Sequence, residues 1–498
     1  MELIQYVLLF IYIFALSSLF VYGMNCYILM VFYRLNYPKA LKKHAEVKEE
    51  FNKDVSAKHW PRVTIQLPIY NERYVVERLI DAVCRMDYPV NLLEIQVLDD
   101  SSDDTVEIAK AVVAKMKVRG FDIVYLRRTS RIGFKAGALK EGLKSAKGEF
   151  IGIFDADFVP NTDFLKESIP YFVDPNIGMI QTRWGHLNCE YSMLTRAQSM
   201  GIDGHFAIEQ ASRAWSGLFM NFNGTAGVWR KKTIEDAGGW QADTLTEDLD
   251  LSYRAQLKGW KLAFASQVVC PAEVPVTINA FKSQQHRWAK GSIQTAKKNL
   301  GKLFKSDVSM LVKIQAFLHL THYLVHPMML LVVLTSIPML YTGWFSENLA
   351  YPAMIFTLFC LATLGPSSLY LFSQRLLYRD WKSRIKYLPF LMCLGTGIAV
   401  NNTKAVLEAF WGIKSGFIRT PKYGIKSKED QWKGKRYSIP LNYVSILEFI
   451  LGLYSLTGFF MFLFFSKYLI SPFLFIYTAG FFYVFFLSIK HGYGKTQK

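Results

Sequence analysis

The run LIQYVLLFIYIFALSSLFVYGMNCYILMVFY, residues 3–33, contains no charged residue. A helix needs about 20 apolar residues to cross a bilayer, so this run constrains the fold more than any other feature. It is too long for the core of a signal peptide and has no basic leader, which implies a membrane helix that is kept. Further apolar blocks lie at 316–341, 352–374, 387–413, 441–465 and 468–489. The hydrophobic content of 51% is therefore concentrated, and residues 40–300 read as an ordinary globular segment.

The net charge of +18 first suggests nucleic acid. Much of the excess, however, flanks the apolar blocks, at RLNYPKALKKH, SQRLLYRDWKSRIK, GFIRTPKYGIKSKEDQWKGKR and KHGYGKTQK. Cytoplasmic loops of membrane proteins carry such an excess, and no nucleic-acid partner is expected. Were 387–413 a span, the basic loop at 414–438 would lie outside. That block also holds Asn401, Asn402, Lys404 and Glu408, costly in lipid, and reads as a helix lying at the interface. Five spans then remain, one before the globular segment and four after it, with the globular segment and the C-terminus cytoplasmic. The six cysteines are scattered without a CxxC pair, which gives neither a zinc site nor a disulfide framework.

Within the globular segment, strands are expected at 62–68, 94–98, 122–127 and 149–154, alternating with helices at 72–86, 104–118 and 134–146. This alternation implies a parallel sheet, whose ligands sit at the carboxyl ends of its strands. Tyr70-Asn71-Glu72, Asp99-Asp100 and Asp155-Ala156-Asp157 all fall at such ends. Two carboxylates one residue apart suit a divalent cation that also binds phosphate. The segment TLTEDLDLSYRAQLKGW adds Glu247, Asp248 and Asp250. Thr246 is expected to cap that helix, Asp250 to be a helix-end acid, and Asp248 to be a base for an acceptor hydroxyl. In FKSQQHRWAKGSIQ, Gln284, Arg287 and Trp288 are expected on adjacent faces at a helix start, with His286 and Lys290 docking the segment on the membrane. Arg287 suits charge on a leaving diphosphate, while Trp288 offers a face to a sugar ring.

The ordered series Asp99-Asp100, Asp155-Ala156-Asp157, Thr246-Glu247-Asp248 and Gln284-Gln285-His286-Arg287-Trp288 resembles the D, DxD, TED, QxxRW signature. That signature belongs to the processive family 2 glycosyltransferases, the cellulose synthase and hyaluronan synthase group. Phe417-Ile418-Arg419-Thr420-Pro421-Lys422 resembles the group's gating loop, in a form closest to cellulose synthase-like mannan, glucomannan and β-glucan synthases. The resemblance implies an α/β fold of GT-A type, a parallel-sheet glycosyltransferase domain with an α-helical transmembrane region. Its parts would be an N-terminal membrane helix at 1–36, a cytoplasmic catalytic domain at 37–305 and a channel region at 306–498 with the gating loop at 417–422. The chain would be an integral membrane protein of the plasma or inner membrane or the Golgi. No cyclic-dinucleotide-binding domain is expected after the last span.

By position, the resemblance makes Asp248, Glu247 and Arg287 catalytic. Donor binding would fall to Tyr70, Glu72, Asp99, Asp100, Lys135, Asp155, Gln284, Arg287, Trp288, Arg419, Thr420 and Lys422. Gly224, Thr225 and Trp288 would meet the acceptor, and Asp157 with Asp155 would hold Mg²⁺ or Mn²⁺. The implied activity is inverting, processive transfer, foremost from UDP-glucose into a β-glucan that is secreted across the bilayer. The alternatives are GDP-mannose into mannan or glucomannan, and transfer of one sugar to a lipid. Aromatic residues of the spans, among them Tyr323, Trp344, Phe356, Tyr370 and Trp411, could stack on the polymer.

Overall fold

The computed structural model describes residues 2–55, 60–342 and 350–492, except 415, 417, 438 and 441. Trp344 and Phe417 therefore lie outside the described residues. Seven strands, β1 (Val63–Ile69), β2 (Leu93–Asp99), β3 (Asp122–Arg127), β4 (Phe150–Ile153), β5 (Ile177–His186), β6 (Gly227–Arg230) and β7 (Lys261–Ala272), form one sheet in the order β3-β2-β1-β4-β6-β5-β7. β1 pairs in parallel with β2 and β4, β2 with β3, and β5 with β7. β2 is buried along its whole length and β1 along most of it, as strands covered on both faces are. Their register aligns Ile69 with Asp99. The segments after them, with Tyr70 and Asp100, thus leave the sheet at one edge.

The sheet departs from the all-parallel expectation at β6, which runs antiparallel to both β4 and β5. A reversal before it makes this possible: Gly224 and Ala226 take φ of +81° and +52°, a region that glycine enters without steric cost. Four residues give no alternation to read, so the strand was invisible in the sequence.

The first helix runs without a break from Glu2 to Val55, and Val47 and Phe51 pack into the core of the sheet domain. Among the described residues, five helices are long and apolar enough to cross a membrane: Leu3–Lys53, Met310–Leu340, Ala353–Leu377, Val444–Phe464 and Ser471–Gly492. Trp381–Gly397 and Ala399–Phe410 form a pair bent by 41°. Both flanks of that pair touch the sheet domain. Before it, the Tyr378 hydroxyl donates to Asp203 at 3.0 Å; after it, Tyr437 bonds Asp103. The pair therefore has both of its flanks beside the sheet domain. Its Asn401, Asn402 and Ala405 are buried because Ala399–Phe410 packs along the helix Ile278–Lys305.

Candidate active site

A cleft with an inner cavity of about 170 Å³ opens at the carboxyl ends of β1, β2 and β4, and Arg419, Thr420 and Lys422 form part of its wall. Tyr70, Glu72, Asp100, Lys135, Asp155, Asp157, Gly224, Glu247, Asp248, Gln284, Arg287, Trp288, Arg419, Thr420 and Lys422 all line it.

The two acids after β4 do not repel each other unanswered. Lys135 Nζ donates to Asp155 Oδ1 at 2.7 Å and to Gly224 O at 2.8 Å. Lys422 pairs with Asp157 and lies 3.7 Å from Glu72, which Arg419 also pairs. Burial would raise the Asp155 carboxyl, but Lys135, Lys422 and Arg287 hold it below its ordinary value. Burial works against the Lys135 ammonium too, yet Asp155 and Glu247 keep it above the usual lysine range. At Glu72 burial prevails and pushes the carboxyl up.

Glu247 and Asp248 open the helix Glu247–Leu257. Burial, and then the Glu247 charge, push the Asp248 carboxyl up to about 7. Leu249 N donates to Asp248 Oδ1 at 2.8 Å and fixes its direction. A carboxyl poised near neutrality and facing a cleft is suited to proton transfer. Thr246 stands at the cap position but makes no capping bond with its side chain; its Oγ1 lies 3.3 Å from Thr295 Oγ1 instead. Asp250 is fully buried. It accepts from Arg254 Nε at 2.8 Å, Lys298 Nζ at 3.0 Å and Asn299 Nδ2 at 3.0 Å, which makes it an internal brace.

Gln284, Arg287 and Trp288 sit in the interior of the helix Ile278–Lys305, not at its start. Spacings of three and four residues place them on one face, and that face forms the cleft wall. Arg287 Nη1 donates to Ile418 O at 3.0 Å, so this helix grips the segment that closes the cleft. His286 and Lys290 do not dock on a membrane: they lie 3.2 Å and 2.8 Å from Glu408 of Ala399–Phe410.

Two expected site residues stand behind the cleft rather than in it. Asp99 is fully buried, accepting from Tyr125 Oη at 2.7 Å and Ser101 N at 2.8 Å. It shapes the loop that presents Asp100, itself paired with Arg128 at 3.0 Å. Thr225 is 1% exposed, and its Oγ1 accepts from Asp155 N at 2.9 Å. Sequence reasoning missed Arg131, whose guanidinium lies 3.3 Å from the Tyr70 ring centre, as well as Asn223 and Glu273. Arg131 lies four residues before Lys135 and Asn223 directly precedes Gly224; neighbourhood was the available signal. Glu273 pairs with Arg78 at 2.6 Å and accepts from Gly424 N at 3.1 Å, tying down the closing segment. It had no sequence signal.

Residues 61–291 match the family described as "Glycosyltransferase like family 2". The probable glucomannan 4-beta-mannosyltransferase 10 of Arabidopsis thaliana is 33% identical over 453 residues, covering 87% of this chain and 79% of its own. Glucomannan 4-beta-mannosyltransferase 2 of A. thaliana is 41% identical over 53% of this chain, and glucomannan 4-beta-mannosyltransferase 1 of Cyamopsis tetragonoloba 44% identical over 49%. The chain spans about half the length of these last two relatives, 50% and 47%. Among solved structures, mannosyltransferase PcManGT from Pyrobaculum calidifontis, in complex with GDP-Man and Mn²⁺, is similar at a TM-score of 0.48 and 21% identity, covering 78% of this chain and 99% of its own; that likeness is too distant to bear on donor or metal. Similarity to the Arabidopsis protein over 87% of this chain, with the ordered acids around one cleft, places the chain in the family 2 glycosyltransferases, in their cellulose synthase-like group.

Proposed function

We propose that the protein is an inverting, processive β-mannosyltransferase that builds mannan or glucomannan from GDP-mannose and passes the chain across a membrane. The sequence alone put UDP-glucose first. The observation that carries the donor is that five relatives, 33–44% identical, are named glucomannan 4-beta-mannosyltransferases, two of them as probable. This favours the alternative.

In this reading Asp248 takes the proton from the acceptor hydroxyl, and the near-neutral carboxyl holds it through the displacement. One displacement inverts the sugar carbon and needs one base. Glu247 keeps that base poised by its charge, and Arg287 stabilises the departing diphosphate. Tyr70, Glu72, Asp100 and Arg131 bind the nucleoside end, with Lys135 and Gln284 nearer the diphosphate. Trp288 and Gly224 face the acceptor. Arg419, Thr420 and Lys422 close over the donor.

Asp155 and Asp157 would hold Mg²⁺ or Mn²⁺. The oxygen-only pair suits a hard cation, and the Lys422 ammonium already places positive charge against the buried Asp157 carboxylate. Among the described residues no group of three or more His, Cys, Asp or Glu is placed to hold a metal, so the remaining ligands would come from the diphosphate. When bound, the ion offsets diphosphate charge. The test is release of nucleoside diphosphate by purified chain given GDP-mannose or UDP-glucose with Mn²⁺. Faster release from GDP-mannose supports the reading; release from UDP-glucose alone overturns it.

A further inference from the structure

Between the helices Met193–Gly204 and Ala211–Trp215 the backbone widens into one π-helical turn, His205–Gln210. Such turns are rare and concentrate at functional sites. With i→i+5 bonding, residues five apart come one above the other, where an α-helix aligns residues four apart. Here that brings His205 and Gln210 to one side chain on the segment entering β6. Gln210 Nε2 donates to Asn223 Oδ1 at 2.5 Å and to Asn221 O at 2.7 Å. Asn223 Nδ2 lies 3.1 Å from His205 Nε2, and His205 Nδ1 lies 2.8 Å from Glu209 Oε2.

Donors and acceptors sort themselves along this chain. Gln210 turns the Asn223 oxygen toward itself, so the Asn223 nitrogen faces His205. His205 Nε2 must then accept, and Nδ1 carries the proton that it donates to Glu209. Burial would raise the Glu209 carboxyl, but the His205 hydrogen bond and the Arg213 charge hold it below its ordinary value. An amide has two N–H groups and an oxygen with two lone pairs, so one of each remains on Asn223 for a ligand. Asn223 lines the cleft next to Gly224, whose Cα is close enough to Asp248 that an added Cβ would lie 2.8 Å from its Oδ2. Gln210 also ties the loop through Asn221 O, whereas the His205–Glu209 pair acts on the loop through the Asn223 amide.

We propose that Asn223 binds hydroxyls of the terminal acceptor sugar and that His205, Glu209 and Gln210 are positioning residues that fix its amide. This rests on the transferase reading of the same cleft. A donor and an acceptor held side by side match two neighbouring hydroxyls, each of which both donates and accepts. The clamp thus orients the sugar whose hydroxyl Asp248 deprotonates.

The test uses the full chain in detergent. Calorimetry measures binding of a β-1,4-linked mannohexaose, a cellohexaose and GDP, and kinetics separate the KM of oligosaccharide acceptor from that of donor. Asn223→Ala, His205→Ala and Glu209→Ala are expected to weaken hexaose binding and raise acceptor KM about tenfold, with GDP binding and donor KM unchanged. Glu209→Gln, which keeps an acceptor for His205 Nδ1, is expected to stay within about threefold of wild type. Variants that bind the hexaoses like wild type overturn the inference alone. Equal losses of GDP and hexaose binding also overturn it, because the network then only holds the fold. A wild-type chain that binds neither hexaose contradicts the polymer reading itself, and this inference with it.

Discussion

Asp248 carries the most chemistry per atom in this protein. Its carboxyl is pushed up to about 7; the base proposed for it acts only when deprotonated, so kcat/KM is expected to fall as pH drops below about 7. The same shift acts on stability with the opposite sign. Between pH 3.8 and about 7 the folded chain keeps a proton that the unfolded chain has released, so this group's contribution weakens as pH rises. Loss of a positioned base costs about 10²–10⁴-fold; Asp248→Asn is expected to lose transfer by that factor while binding GDP normally, which initial rates and calorimetry check together. Gly224→Ala places a Cβ 2.8 Å from Asp248 Oδ2 and 3.3 Å from Lys135 Nζ, at a φ of +81°. It is expected to abolish transfer and cost about 1 kcal/mol of stability from the backbone alone, read as a lower melting temperature.

At the scale of elements, the closing segment and the helix joints matter most. Lys422 sits against Asp157, so Lys422→Ala is expected to bind Mn²⁺ more tightly without nucleotide, measured by electron paramagnetic resonance, yet to turn over more slowly. Unchanged Mn²⁺ affinity would show that this lysine does not compete for the site. Lys282 joins Ile278–Lys305 to Val444–Phe464 through Glu448 at 2.6 Å, both side chains buried. Removing one member of a buried pair costs about 3–5 kcal/mol; Glu448→Ala is expected to melt early in detergent, and Lys282→Met with Glu448→Leu to recover most of the loss.

These elements also show what a sequence reveals. β1 to β3 and the helices after them were legible because strand and helical patterns recur over six residues or more, and β4 because the apolar run EFIGIF ends in two acids, so these acids fell at one edge. β6 and the π turn were not: each is short, and each is set by long-range contacts rather than local pattern. Asp99 and Thr225 were misplaced because adjacency cannot tell which of two neighbours faces a cleft. Lys290 and His286 read as a membrane-docking face because their partner, Glu408, is more than a hundred residues away in the chain.

For the whole molecule, we propose that the five apolar helices found among the described residues, with the bent pair whose flanks both touch the sheet domain, leave that domain and residues 418–437 on one face of a bilayer. In sealed vesicles protease is expected to reach both or neither; cleavage of one alone would refute the arrangement. Trp288, which lines the cleft, packs against the apolar cluster that holds Tyr323. The central claim, polymer from GDP-mannose, is tested most directly by supplying labelled GDP-mannose and labelled UDP-glucose, separately and together, to purified chain with Mn²⁺. High-molecular-weight label is then counted before and after β-mannanase and cellulase. The account predicts polymer from GDP-mannose that β-mannanase removes. Polymer from UDP-glucose alone, or label confined to a lipid extract, would contradict it.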